Sequence, residues 1–187
     1  MSALLDSRQP AWEASAMRVP DLTEVMAIER QAYPVPWTHG NFVDSLAAGY
    51  PAEVLRGPRA QANAGPPQVG LTPLGGGLGA APPWGHTELL GYWVAMPGLE
   101  EMHLLNITVA PAWQGRGLAV AMLERLVAEC RCRGLAQLWL EVRVSNVRAR
   151  EVYRRFGLVE VGRRRAYYPV PQGPREDAIL MSLAVAA

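Results

Sequence analysis

Lysine is missing from all 187 residues; the 18 basic side chains are arginine. A nucleoside-triphosphate loop needs Gly-Lys-Ser or Gly-Lys-Thr, so that phosphate chemistry is excluded. Cysteine is almost as scarce. Cys130 and Cys132 are the only two, and two positions apart on a helix they point in different directions. They form no metal pair of their own and read as reduced thiols. No apolar run is long enough to cross a bilayer, and residues 1–10 lack the apolar core of a secretory leader, so the expected location is the cytoplasm. Charge of one sign is not in excess either: the formal net charge is +1, too little for a broad electrostatic grip on nucleic acid. The short run Arg163-Arg164-Arg165 reads as a solvated face rather than an RNA site.

Half of the residues are apolar, enough for one real core. Residues 1–16 show no firm period and are expected to be a loose extension of a single domain over 17–187. Met17-Arg18-Val19 reads as a short first strand. Asp21 and Glu24 stand in capping-box spacing before a helix carrying Val25, Met26, Ile28 and Ala32, which Pro34 and Pro36 end. Thr38 is placed to cap a second helix with Phe42 and Leu46. After a strand at Ala52 to Arg56 the composition shifts. Nearly half of the residues from Gly57 to Thr87 are Gly or Pro, with Gly75-Gly76-Gly77 in the middle. Such a stretch buries too little surface to offset its ordering entropy, so 57–87 is expected to be a flexible insertion between neighbouring strands. No strand and helix flank the triple glycine, which argues against a phosphate role for it.

Leu89 to Ala95 and Met102 to Val109, separated by Pro97-Gly98, read as an antiparallel pair. A helix from Arg116 to Arg133 follows, with Leu118, Met122, Leu126 and Cys130 on one line and Gly134 as its stop. In the next strand Leu138, Leu140 and Val142 alternate with Trp139, Glu141 and Arg143. Ser145 or Asn146 caps a further helix that ends at Gly157. Leu158 to Val161 and Ala178 to Leu183 close the chain as strands, with a loop from Tyr168 to Asp177. About seven strands and four helices, partly antiparallel and partly parallel, make a mixed-sheet α/β domain.

The stretch from Leu104 to Glu141 organises the rest. A strand entering a helix through Gln114-Gly115-Arg116-Gly117-Leu118-Ala119 aims unpaired amides and the positive end of the helix dipole at one spot, an anion site. A dinucleotide fold competes, because Gly115-x-Gly117 precedes a helix and Glu141 closes the next strand. Val120 at the third glycine position, and Ala110 to Gln114 between strand and glycines, weaken it.

The same six residues resemble the coenzyme A pyrophosphate loop of the GNAT acetyltransferases. The order of elements agrees, as do the stretches Leu138 to Asn146, Arg165-Ala166-Tyr167-Tyr168-Pro169, Arg175 to Ile179, Ile28-Glu29-Arg30 and Pro36-Trp37. Together they are similar to the RimI-type members, which acetylate the N-terminal alanine of a small-subunit ribosomal protein. The resemblance covers Met17 to Leu183 apart from the insertion, and Gly115 departs from the longer side chain of many relatives.

What the resemblance implies is specific. The fold is a GNAT fold with a splayed strand pair that binds acetyl-CoA, the acetyl donor, without a metal. Main-chain groups of Ile107, Thr108 and Val109 pair with the pantetheine arm and supply an oxyanion donor. Gln114, Gly115, Arg116, Gly117, Leu118, Ala119 and Val120 hold the pyrophosphate. Glu141 is the general base and Tyr153 the general acid toward sulfur. By position alone Glu141 is an acid on a strand face and Tyr153 a core residue on its helix stripe, while Asn146 is equally a helix cap and a cofactor contact. Attack is direct, in a ternary complex, since no cysteine lies near. The acceptor implied is the N-terminus of a ribosomal protein, with no direct nucleic acid or membrane partner. Other N-termini or a small amine, and a coenzyme A-binding partner subunit without turnover, are the competing expectations.

Overall fold

A computed structural model describes residues 12–59 and 87–186. Residues 60–86 of the expected flexible insertion and most of the expected extension lie outside the described residues; at the insertion's expected ends, Gly57 and Pro58 belong to a strand and Thr87 opens the next. Seven strands form one sheet: β1 (Glu13–Ala16), β2 (Ala52–Pro58), β3 (Thr87–Pro97), β4 (Glu101–Val109), β5 (Gln137–Arg143), β6 (Val159–Tyr168) and β7 (Glu176–Ala184). Their order is β1-β2-β3-β4-β5-β7-β6. Every neighbouring pair is antiparallel except β4 with β5, which is parallel. Four α-helices cover it: α1 (Leu22–Ala32), α2 (His39–Ala47), α3 (Leu118–Cys132) and α4 (Val147–Phe156). The expected mixed-sheet α/β class is the observed one.

Side chains of successive strand residues enter two separate cores, one on each face. Tyr92 and Val94 of β3 join Leu22, Val25, Met26 and Phe42 of α1 and α2. Trp93 and Ala95 join Met122, Leu123, Leu126 and Cys130 of α3, together with Leu138, Leu140 and Val142 of β5. Each fully buried aliphatic side chain of α3 contributes about 1.5–3 kcal/mol through burial, so the α3 face anchors the strands on which the site is built.

Two expectations near the start need correction. The first strand is Glu13–Ala16, inside the stretch expected to be loose, and Met17-Arg18-Val19 is not a strand; Val19–Asp21 is a 3-10 turn. Asp21 does not cap α1 through its side chain. One carboxylate oxygen accepts from the Arg18 N–H at 2.8 Å and the other from Arg56 at 2.9 Å, so the acid braces the chain before the helix. Thr38 does cap α2: its hydroxyl accepts from Asn41 N–H at 3.2 Å, and Asn41 Oδ1 accepts from Thr38 N–H at 2.8 Å.

The last hairpin differs as well: β6 continues past the expected strand end at Val161 to Tyr168, where the loop was expected to begin, and β7 starts at Glu176, inside that expected loop. A register irregularity between Arg164 and Tyr168 surrounds Ala166, the one described non-glycine residue with positive φ, at 49°. Its N–H donates to Asp177 at 2.7 Å, which fixes the bulge. An L-alanine in that region pays a steric cost that glycine does not, partly offset by the greater freedom of glycine in the unfolded chain. Ala166→Gly is therefore expected to stabilise the protein by about 0.5–1 kcal/mol, read as a rise in the urea midpoint at unchanged slope.

One irregularity positions the site. Val94 pairs with Asn106 but Ala95 pairs with Leu104, leaving Leu105 as an extra residue in β4. Before it Met102 and Leu104 face α3; after it Asn106 and Thr108 face α1, and Ile107 and Val109 pack toward α3. A bulge bends its strand. The β4·β5 ladder ends at the same point, with Leu104 opposite Leu140 as its last pair, and beyond it the two strands part.

Candidate active site

The parted strands open a cleft of about 430 Å³ between β4, the turn into α3, and α4. Along an antiparallel strand the main-chain groups point alternately to either side. Ala110 N–H reaches back to Leu90 on β3, at 2.8 Å. The carbonyls of Ile107 and Val109 instead accept from side chains, Tyr33 at 3.1 Å and Gln114 at 3.2 Å. The N–H groups of Ile107 and Val109 therefore face the cleft, where no β5 partner meets them.

At the other end the chain leaves β4 through a 3-10 turn at Pro111–Trp113 and enters α3 through two glycines, Gly115 and Gly117, each at φ +80°. Gly117 is the N-cap of α3 and has no side chain with which to cap it. The first intrahelical bond is Ala121 N–H to Gly117 O at 3.1 Å, so the N–H groups of Leu118, Ala119 and Val120 have no partner within the helix. They line the cleft and give it the positive end of the helix dipole. Gln114 spans the turn: its Nε2 donates to Val109 O, and its Oε1 accepts from Arg148 at 2.7 Å.

Eleven of the thirteen residues expected to form the site line this cleft: Ile107, Thr108, Val109, Gln114, Gly115, Gly117, Leu118, Ala119, Val120, Asn146 and Tyr153. Asn146 is also the cap of α4, accepting from Ala149 N–H at 3.1 Å. Arg116 and Glu141 do not line it. The Arg116 guanidinium lies 4.5 Å above the ring of Trp113, so only its main chain belongs to the turn. Glu141 is the first β5 residue past the last β4 pair. Its carboxylate stands 3.4 Å from Arg164, and its carbonyl accepts from the Tyr168 hydroxyl at 2.9 Å.

Six lining residues were not among those expected: the aliphatic Ala32, Ala149 and Val152, and three that carry polar or aromatic groups. Tyr33, at the end of α1, donates across to β4; Trp113 and Arg148 flank the glycine turn. For Arg148 a signal existed. The resemblance implies a longer side chain at position 115, and a Cβ built on Gly115 would lie 3.6 Å from Arg148 Nη2, in van der Waals contact with it. Arg148 makes no ion pair among the described residues. Tyr33 carried no signal beyond its place before Pro34, because its partner lies 74 residues away.

Four phenols in and near the cleft, Tyr92 and Tyr153 buried and Tyr33 and Tyr168 half-buried, are each raised above the ordinary tyrosine range, with burial as the first cause. Tyr33 is pushed up to about 12; Tyr92, Tyr153 and Tyr168 are raised further. Tyr153 is also raised by its neighbours Tyr33 and Tyr168. In the unfolded chain these phenols ionise near pH 10, so folding holds their protons and stability falls as pH rises above that value. The tyrosinate absorbance of these four residues is expected to appear together with loss of the fold in an alkaline titration, and not before it. The buried Cys130 thiol, pushed up to about 11 by burial and then by Glu129, lies on the opposite end of α3 from the turn and offers no thiolate to the cleft.

A cleft that offers unpaired amides to an anion at one end, strand amides along its side, and a protonated phenol at the other is suited to an extended phosphate-bearing thioester. Among the described residues no group of His, Cys, Asp and Glu could hold a metal, and no helix is long and apolar enough to cross a membrane. The model of the Acetyltransferase (GNAT) family matches residues 22–158. The chain is 33% identical over 171 residues to the [ribosomal protein bS18]-alanine N-acetyltransferase of Escherichia coli strain K12, covering 91% of this chain and 96% of that one. The crystal structure of the ribosomal-protein-S18-alanine N-acetyltransferase from Escherichia coli superposes with a TM-score of 0.71 at 31% identity, over 94% of this chain and 95% of the other. For the fold alone, yncA of Salmonella typhimurium, solved with its cofactor acetyl-CoA, gives a TM-score of 0.66 at 17% identity, over 94% and 95% of the two chains.

Proposed function

The chain belongs to the acetyltransferase (GNAT) family, and from that premise we propose that it transfers the acetyl group of acetyl-CoA to the N-terminal alanine of ribosomal protein bS18, in the cytoplasm. The relatives that match over nearly their whole length act on that acceptor by name, and this chain has a cleft with the parts such a transfer needs. The observation that carries the reading is the continuity of that cleft: unpaired α3 amides, the unpaired edge of β4 and Tyr153 line one space.

Acetyl-CoA supplies an activated acetyl thioester. Leu118, Ala119 and Val120 N–H, with Arg148 beside them, hold its diphosphate, which fixes the distance from that anchor to the reacting carbon. Ile107 N–H is placed to donate to the oxygen that gains charge during attack. Glu141 takes the amine proton at the remove of one water, since its side chain stands outside the cleft wall. Tyr153 returns a proton to sulfur. A terminal α-amine has a reference pKa near 8, so at neutral pH a useful fraction is uncharged and a carboxylate suffices as base.

The deciding experiment is thiol release from acetyl-CoA with an alanine-initiated peptide copying the bS18 start, paired with mass spectrometry of the product. An acetyl group on the α-nitrogen supports the reading. Turnover with small amines but not with the peptide, or coenzyme A binding without turnover of any amine, overturns it in favour of another acceptor or of a non-catalytic subunit.

A further inference from the structure

Deepening that reading, and resting on it, we propose that Tyr33 receives the amine of the acceptor: its phenol oxygen accepts a hydrogen bond from the α-amino N–H and so aims the nitrogen lone pair at the thioester carbon. The inference comes from the direction in which a buried chain of hydrogen bonds must run.

The chain starts at Glu29, 1% exposed beneath the sheet. Its carboxylate oxygens accept from Trp37 N–H at 2.8 Å, from the Tyr92 hydroxyl, and from Asn106 Nδ2 at 3.3 Å to each oxygen. Asn106 therefore turns its donor side to Glu29, and its Oδ1 can only accept. Thr108 Oγ1 lies 2.9 Å from that oxygen and gives it its single proton. With that proton committed, Thr108 Oγ1 must accept across its 2.9 Å contact with the Tyr33 hydroxyl, so Tyr33 must donate. Ile107 O, 3.1 Å from the same phenol, is also an acceptor. Tyr33 thus shares one proton between two oxygens, and no described residue donates to its own lone pairs.

Tyr33 lines the cleft together with Tyr153, with its hydroxyl against Ile107 and Thr108 of β4 rather than against the glycine turn. There the cleft presents a hydrogen-bond acceptor whose direction is fixed from behind by a fully partnered network. An amine has N–H groups to give. Burial also keeps Tyr33 a neutral phenol, pushed up to about 12, so it acts as a fixed dipole rather than a base. During transfer the N–C bond forms as the C–S bond breaks, one amine proton leaves toward Glu141, and Tyr153 supplies one to sulfur. Tyr33 gains and loses none. Because the nitrogen becomes more positive as it attacks, its N–H donates more strongly to Tyr33 on the way to the transition state.

The test is a cycle of two proteins and two peptides. Wild type and Tyr33→Phe are each saturated with coenzyme A and titrated by calorimetry with an alanine-initiated peptide and with its des-amino analogue, which begins with a propionyl group. Other contacts of the amine, including any with Glu141, cancel in the comparison. The Phe variant is expected to bind the amine-bearing peptide about tenfold more weakly and the des-amino peptide within about twofold of wild type. Coenzyme A affinity, measured first, is expected to be unchanged and shows that the cradle is intact. Equal weakening of both peptides would make Tyr33 a merely structural pin and overturn the proposal, as would no weakening of either. If the wild type itself bound no coenzyme A, the acetyltransferase reading would fail first and carry this one with it.

Discussion

Replacement of Tyr153 by phenylalanine is expected to lower kcat by about 10²–10⁴-fold, the range for loss of a positioned general acid, while leaving coenzyme A affinity within about twofold. The residue is 8% exposed and packs in the α3 core, yet its hydroxyl has no hydrogen-bond partner among the described residues and opens on the cleft. Burial, and then the nearby Tyr33 and Tyr168, hold it protonated throughout the working range. A departing thiolate of ordinary basicity, near pKa 8.5, can take that proton as the carbon–sulfur bond breaks. Phenylalanine keeps the ring that packs against the core and removes only the oxygen. Since that oxygen makes no hydrogen bond to a described residue and opens on the cleft, its loss is expected to leave the melting temperature close to that of wild type. Activity thus falls while stability holds, which a structural role for Tyr153 would not produce. Thiol-release kinetics, coenzyme A titration and thermal unfolding on one preparation settle it. A kcat within threefold of wild type would remove Tyr153 from the chemistry.

Much of this site could be read along the chain because its key feature is local. Gly115 and Gly117 sit where φ is +80°, and only a residue without a Cβ takes that conformation at low cost while leaving the helix start uncapped. The open, uncapped helix start is therefore encoded in six consecutive letters. The long β3 and β4 strands and α3 were legible for a similar reason: their apolar spacing matches the strand and helix periods, and Gly134 and Gly157 mark helix ends with positive φ.

What stayed hidden depends on contacts between distant segments. Alternation counted from Met102 gives one face to Met102, Leu104, Asn106 and Thr108 alike. The extra residue Leu105 sends the last two to the other face, and no turn residue announces it. The same step places Asn106 and Thr108 over Glu29 and Tyr33, creating a polar network that periodicity could not foresee. Arg116 read as a phosphate ligand because it lies inside the motif, but Trp113 attracts its guanidinium. Asp21 read as a cap from spacing alone, and Arg56, 35 residues later, takes one of its oxygens. In each case a local rule was overruled by a partner from another element. The fold class survives such errors, since it depends on how many elements there are and in what order. Side-chain roles do not survive them.

Glu141 is where that distinction matters most. Substitution of Glu141 by glutamine is expected to reduce kcat/KM for an alanine-initiated peptide by about 10²–10³-fold near neutral pH, the loss of a general base. Its parity on β5 turns it away from Leu140 and Val142, which lie in the α3 core, and the ladder to β4 stops one residue before it. The carboxylate is thus at the mouth of the opening, held against Arg164 at 3.4 Å, with Tyr168 fixing the main chain beneath it. Arg164 is half exposed, so this pair contributes little to stability, about 0–1 kcal/mol. The glutamine variant should therefore fold as well as wild type. The pH profile carries the decisive contrast. The uncharged amine must shed a proton as it attacks at any pH; without the carboxylate that proton goes to solvent, and hydroxide takes it more readily as pH rises. The deficit of Glu141→Gln is expected to shrink as pH rises from 7 to 9.5, whereas that of Tyr153→Phe, which concerns the leaving sulfur, is expected to persist. Initial rates of both variants over that range measure the difference directly. If the Glu141→Gln deficit stayed constant with pH, the residue would be acting through charge or position alone, and the base would have to be sought elsewhere along the cleft.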